Sequence, residues 1–122
     1  MRRDDKVLIV EDDAVVAGVI EAAGQDLCFT CDRATDGWDA IEKLETRHYS
    51  AIVIDTDVPR QSGFGVLTYL NEEIGTDLPN VIVMTSSDQE EIRRKVGANL
   101  RVVSKDDAVA EITRVLSASS IE

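Results

Sequence analysis

Four runs of strand length in this 122-residue chain, three of them wholly apolar, end in residues that can do chemistry. Val7-Leu8-Ile9-Val10 leads into Glu11-Asp12-Asp13, and Ala51-Ile52-Val53-Ile54 into Asp55-Thr56-Asp57-Val58-Pro59. Val81 to Met84 leads into Thr85-Ser86-Ser87, and Leu100 to Val103 into Ser104-Lys105. A short continuous apolar run reads as a strand buried on both faces. Neighbouring strands lie about 5 Å apart, so side chains at their ends can converge. Clustered carboxylates raise one another's pKa unless a cation intervenes. Oxygen-only ligands select a hard cation, and Mg²⁺ suits a few carboxylates plus a phosphate. Acids, a hydroxyl and a lysine around a metal describe a site for phosphoryl chemistry. A carboxylate in such a site can itself be the nucleophile and form an acyl phosphate.

The elements that must position these groups alternate along the chain. Strands are expected at Lys6–Val10, Leu27–Arg33, Ala51–Asp55, Asn80–Met84 and Leu100–Val103. Helices are expected at Ala14–Ala23, with Val15, Val16, Val19 and Ile20 inward and Gly24 as the stop, and at Trp38–Glu45, burying Ile41 and Leu44. A third helix carries Val66, Leu67, Leu70 and Ile74, and Gly75-Thr76-Asp77-Leu78-Pro79 breaks it. The last two are expected at Asp88–Val96, stopped by Gly97, and at Asp107–Leu116, with Val109, Ile112, Val115 and Leu116 inward. Asp13 and Asp36 are placed to cap. Strand-then-helix units with short connections imply parallel strands and right-handed crossovers. The first, third and fourth strands are the most apolar and should be central. The expected fold is an α/β, doubly wound, five-stranded parallel sheet in the order 2-1-3-4-5, with helices on both faces. In such sheets the carboxyl ends of the strands are where ligands bind.

The chain resembles the receiver domains of bacterial two-component response regulators over nearly all its length. The matching stretches are V-L-I-V-E-D-D at Val7 to Asp13, I-V-I-D-T-D-V-P at Ile52 to Pro59 with Gly63 following, V-I-V-M-T-S at Val81 to Ser86, and G-A-N-L-R-V-V-S-K at Gly97 to Lys105. The resemblance implies that Asp55 accepts a phosphoryl group from a histidine of a sensor kinase or phosphotransfer protein. It implies Mg²⁺ held by Glu11, Asp12, Asp55 and the main-chain carbonyl of Asp57, with Thr85 as the switch hydroxyl and Lys105 as the pairing lysine. It also implies a downstream partner protein or a further effector domain, in a phosphoacceptor signalling domain rather than an enzyme acting on other substrates.

The chain departs from the family pattern in three places. The segment from Thr85 to Gly97 is about three residues short of the usual length, so the fourth helix loses nearly a turn. Lys105 lies one residue further past Gly97-Ala98, so either the fifth strand bulges or Ser104 takes the lysine's place; Asp106 stands where proline is common. The usual aromatic of the fifth strand is replaced by Arg101 or Val102. These departures keep a second reading open, a pseudo-receiver acting as a phosphorylation-independent interaction module. A third reading is an enzyme: D-T-D-V also resembles the nucleophile motif of haloacid-dehalogenase-type phosphatases, but there the motif sits on an early strand and the further acids follow it.

Other residues read more plainly. Cys28 and Cys31 form a C-x-x-C that straddles an apparent strand rather than a helix N-terminus, which favours structural thiols over redox chemistry. His48 is a surface-loop residue, the Asp57 side chain is a rim group, and Arg93-Arg94-Lys95 is a solvated helix face. Trp38 reads as partly buried packing, with an exposed partner contact as the alternative. The net charge of −11 argues against direct binding to nucleic acid or to an anionic membrane. No run approaches membrane-spanning length, which points to a cytoplasmic protein. The whole of 1–122 is expected to form one domain, residues 117–122 being a tail or the start of a linker.

Overall fold

The apolar runs pair into one sheet. In the computed structural model, which describes residues 6–56, 63–70, 80–86, 88–96 and 101–119, the strands are β1 (Lys6–Val10), β2 (Thr30–Ala34), β3 (Ala51–Asp55), β4 (Asn80–Thr85) and β5 (Arg101–Ser104). All neighbours are parallel and the order is β2-β1-β3-β4-β5, as expected. The expectations on Asp57, Pro59, Ile74, the break at 75–79, Gly97 and the end of the tail fall outside the described residues.

Alternation along each strand divides the core in two. Val7, Ile9, Ala51, Val53, Ile82 and Met84 face α1 (Ala14–Asp26) and α5 (Ala108–Ser119). Leu8, Val10, Ile52, Ile54, Val81, Val83 and Val102 face the layer of α2 (Gly37–Thr46), α3 (Gly63–Tyr69) and α4 (Gln89–Val96). β3 is buried at every position. Val66 and Leu70 are buried, Leu67 partly, and the α5 residues Ile112, Val115 and Leu116 are buried as expected.

The first helix differs from the expectation. Its inward stripe is Ala17, Ile20 and Gly24, while Val15 and Val19 are 75% and 52% exposed. Small residues let the helix lie close to the sheet, and that requirement overrides the greater hydrophobicity of valine. Gly24 does not stop the helix, which runs on to Asp26; the glycine is there because a Cβ would sit 2.8 Å from Cys31 Sγ. Its carbonyl instead accepts from Phe29 N–H while Gln25 O accepts from Cys28 N–H. This is the paired hydrogen-bond pattern of a Schellman helix end, and Cys28 takes its left-handed position at φ 68°. The turn uses Leu27 to Phe29, so β2 begins three residues later than expected. Cys28 is therefore exposed at a helix C-terminus, and burial pushes the Cys31 thiol up to about 11, against redox use of the pair.

Candidate functional site

The strand register sets the site. Val10 pairs with Ile54, so the next residues, Glu11 and Asp55, lie level on adjacent strands. The Glu11 amide continues the ladder to Ala34 O at 3.0 Å. Alternation that sends Val7 and Ile9, and Ala51 and Val53, to one face carries Glu11 and Asp55 to that face as well. Both are 1% exposed. Asp12 is exposed, and carboxylate oxygens of Glu11, Asp12 and Asp55 lie within 4.8 Å of one another.

Asp13 caps rather than ligates. Its Oδ1 accepts from Val15 N–H at 2.9 Å and Val16 N–H at 3.3 Å, and its own N–H donates to Glu11 Oε2 at 3.1 Å. The cap thus also orients the first acid. Thr85 is fully buried at the end of β4, one residue beyond the Met84 that pairs with Asp55.

Lys105 enters the pocket. Its Nζ lies 2.8 Å from Asp55 Oδ2 and 3.3 Å from Glu11 Oε1. β5 carries no bulge in its pairing with β4, and Lys105 lies past the strand, opening a 3-10 turn over Lys105–Asp107. Ser104 does not replace it: the Ser104 hydroxyl accepts from Asp107 N–H at 3.2 Å. The sequence reading missed this cap, although Ser104-Lys105-Asp106-Asp107 has the S-x-x-D spacing of a helix start.

Charge is concentrated and desolvated here. Burial pushes the Glu11 carboxyl up to about 7, and hydrogen bonding and repulsion from Asp55 add to this, while the Asp13 amide and Lys105 oppose it. Burial pulls the Lys105 ammonium down, but Asp55 and Glu11 outweigh it and raise it overall. Glu11 Oε1 is buried, with the Lys105 ammonium at 3.3 Å as its neighbour. Three converging carboxylates with such an oxygen fit a hard divalent cation.

A doubly wound parallel sheet with a pocket of acids and a lysine at its carboxyl edge defines a flavodoxin-like domain with its ligand site at the strand ends. Comparison with known proteins makes the class specific. The chain matches the response regulator receiver domain across residues 7–116, and it belongs to that family, which works in two-component signalling. The transcriptional regulatory protein BasR of Escherichia coli is 35% identical over 83 residues, covering 68% of this chain and 36% of BasR. DltR of Streptococcus agalactiae is 33% identical over 84 residues, covering 69% of this chain and 37% of DltR. The chain thus spans little more than a third of these curated relatives. The receiver domain of a Pseudomonas aeruginosa sensor histidine kinase superposes with a TM-score of 0.81 at 24% identity, covering 98% of this chain and 100% of that one. That structure holds a magnesium ion in its active-site cleft.

Proposed function

We propose that Asp55 is a phosphoacceptor, taking its phosphoryl group from a histidine of a sensor kinase or phosphotransfer protein. An Asp55 oxygen bonds to phosphorus as the bond from phosphorus to the imidazole nitrogen breaks, the electron pair staying on the ring. Glu11, Asp12, Asp55 and the main-chain carbonyl of Asp57 would hold Mg²⁺, which supplies charge to neutralise the transferring group. Lys105 adds fixed positive charge beside the same oxygens, and the Thr85 hydroxyl bonds one of them after transfer. The new charge biases the loops that follow β3 and β4, and a cytoplasmic partner or effector domain reads the shifted population. The chemistry is limited to this self-phosphorylation and its hydrolysis.

The carrying observation is a carboxylate buried to 1% exposure that faces an ammonium at 2.8 Å within a group of three acids. The test is intact mass after incubation with acetyl phosphate and Mg²⁺, with Asp55→Asn beside it. One phosphoryl adduct on the wild type alone is expected. No adduct, with beryllofluoride also failing to bind, refutes the proposal.

One observation favours a phosphorylation-independent interaction module instead. Arg101 is exposed and tied to Glu111 at 3.2 Å, and Val102 is buried, so β5 lacks the aromatic that the family pattern places there. A missing adduct in the same experiment selects this reading.

A further inference from the structure

Lys105 reaches the acid pocket from an unusual base. β5 ends at Ser104, paired with Thr85, and the lysine opens a turn of three residues. So short a 3-10 segment has little stability of its own. Two hydrogen bonds close it. Ser104, extended at φ −70° and ψ 159°, accepts at its hydroxyl from Asp107 N–H at 3.2 Å, and Ala108 N–H donates to Lys105 O where α5 begins. Lysine is a point charge on a flexible four-carbon stem, so the direction in which its Cα is held decides where the ammonium rests. Alternation puts Ser104 and Lys105 on opposite sides of the strand line. The serine is therefore free to cap while the lysine turns to Asp55 and Glu11.

We infer that Ser104 is a positioning residue: its hydroxyl caps the turn that aims Lys105 into the acid pocket. The geometric claim stands alone, and its consequence for phosphoryl transfer rests on the reading of Asp55 as phosphoacceptor. The competing account is a cap that stabilises the start of α5 and nothing more.

The experiment uses the full metal-free chain and four variants: Ser104→Ala, Ser104→Asp, Lys105→Ala and Ser104→Ala with Lys105→Ala. Melting temperature is recorded for each. The first readout is the rate of reductive methylation of Lys105, followed by peptide mass spectrometry. The second is the rate of adduct formation with acetyl phosphate and Mg²⁺. Losing a cap of this kind releases the turn by about fivefold in population. Lys105 in Ser104→Ala should thus be methylated about fivefold faster, and adduct formation should slow toward the Lys105→Ala rate. Ser104→Asp, another capping residue, should restore both. In the Lys105→Ala background, Ser104→Ala should slow the adduct no further.

A lower melting temperature with wild-type methylation and adduct rates overturns the inference, and so does an additive loss in the double variant. If Ser104→Ala fails to fold, Ser104→Gly, which weakens the cap less, carries the same expectations at a smaller size, about twofold in each rate. If the wild type forms no adduct, the phosphoacceptor reading fails while the methylation comparison still decides the role of Ser104.

Discussion

Metal-free protein should lose stability as pH rises from about 4.5 to about 7, and Glu11 is the cause. Its carboxyl ionises at 4.5 in the unfolded chain and at about 7 in the fold, because burial and Asp55 disfavour its charge. Between those values the native state holds a proton that the unfolded state has released. The native state therefore binds more protons, and stability falls with pH across the window. Below it the penalty is absent; above it the penalty is complete. Each pKa unit corresponds to about 1.4 kcal/mol, so the full loss is on the order of 3 kcal/mol. That is a large share of the roughly 5–15 kcal/mol that holds a domain folded. The assay is urea unfolding with a chelator at about pH 5 and about pH 7.5, on wild type and Glu11→Gln. The wild type should be weaker at the higher pH, and Glu11→Gln should show little of that slope. Saturating Mg²⁺ should remove it from the wild type as well, since a bound cation favours the ionised acid. A flat wild-type profile would refute the reasoning, as would an equal slope in Glu11→Gln.

Two further outcomes follow from the helices. Cys28→Gly should raise stability by up to about 1 kcal/mol in thermal unfolding, since glycine takes the left-handed position without the Cβ penalty; a loss would show that the Cys28 side chain itself contributes. Arg93 donates to Val102 O at 3.1 Å and to Glu90 Oε1 at 2.6 Å, and Ile92 is the buried apolar residue of α4 among those described. Arg93→Ala should therefore speed amide exchange across Gln89–Val96 by about tenfold, with β3 unchanged. Unchanged exchange in α4 would mean that Ile92 alone seats it.

Topology was legible because three apolar runs and two mixed segments of strand length alternate with helical patterns, and the apolar ones had to be central. The acids at the ends of β1 and β3 were legible for the same reason: a buried strand that ends in a carboxylate must place it at the sheet edge. What escaped the sequence reading depends on contacts between elements. Val15 and Val19 look like core residues, yet the close approach of α1 to β2 is set by Gly24 and Cys31. Gly24 looks like a helix stop, yet the chain reverses three to four residues later on Cys28, a residue type that seldom takes a positive φ. The position of Lys105 could not be settled from spacing, because a one-residue offset reads equally as a bulge or as Ser104 in the lysine's place. The unbulged pairing of Thr85 with Ser104 excludes the first, and the Lys105 Nζ at 2.8 Å from Asp55 excludes the second.

That pairing also explains how an offset lysine still meets Asp55. Asp55 pairs with Met84, and Met84 with Val103, so Lys105 lies two residues beyond the level of Asp55 along the sheet. Two residues restore the same side of the strand line, whereas one residue reverses it. An even displacement keeps the ammonium on the side of Asp55 and Glu11, and the long side chain spans the added rise of about 7 Å. An odd displacement would have directed it into the α2–α4 layer, where Val83 and Val102 are buried. The acid pocket is thus held by central strands whose register is fixed by two buried faces. The fourth helix and fifth strand, where this chain departs from its family, can change without moving Glu11 or Asp55.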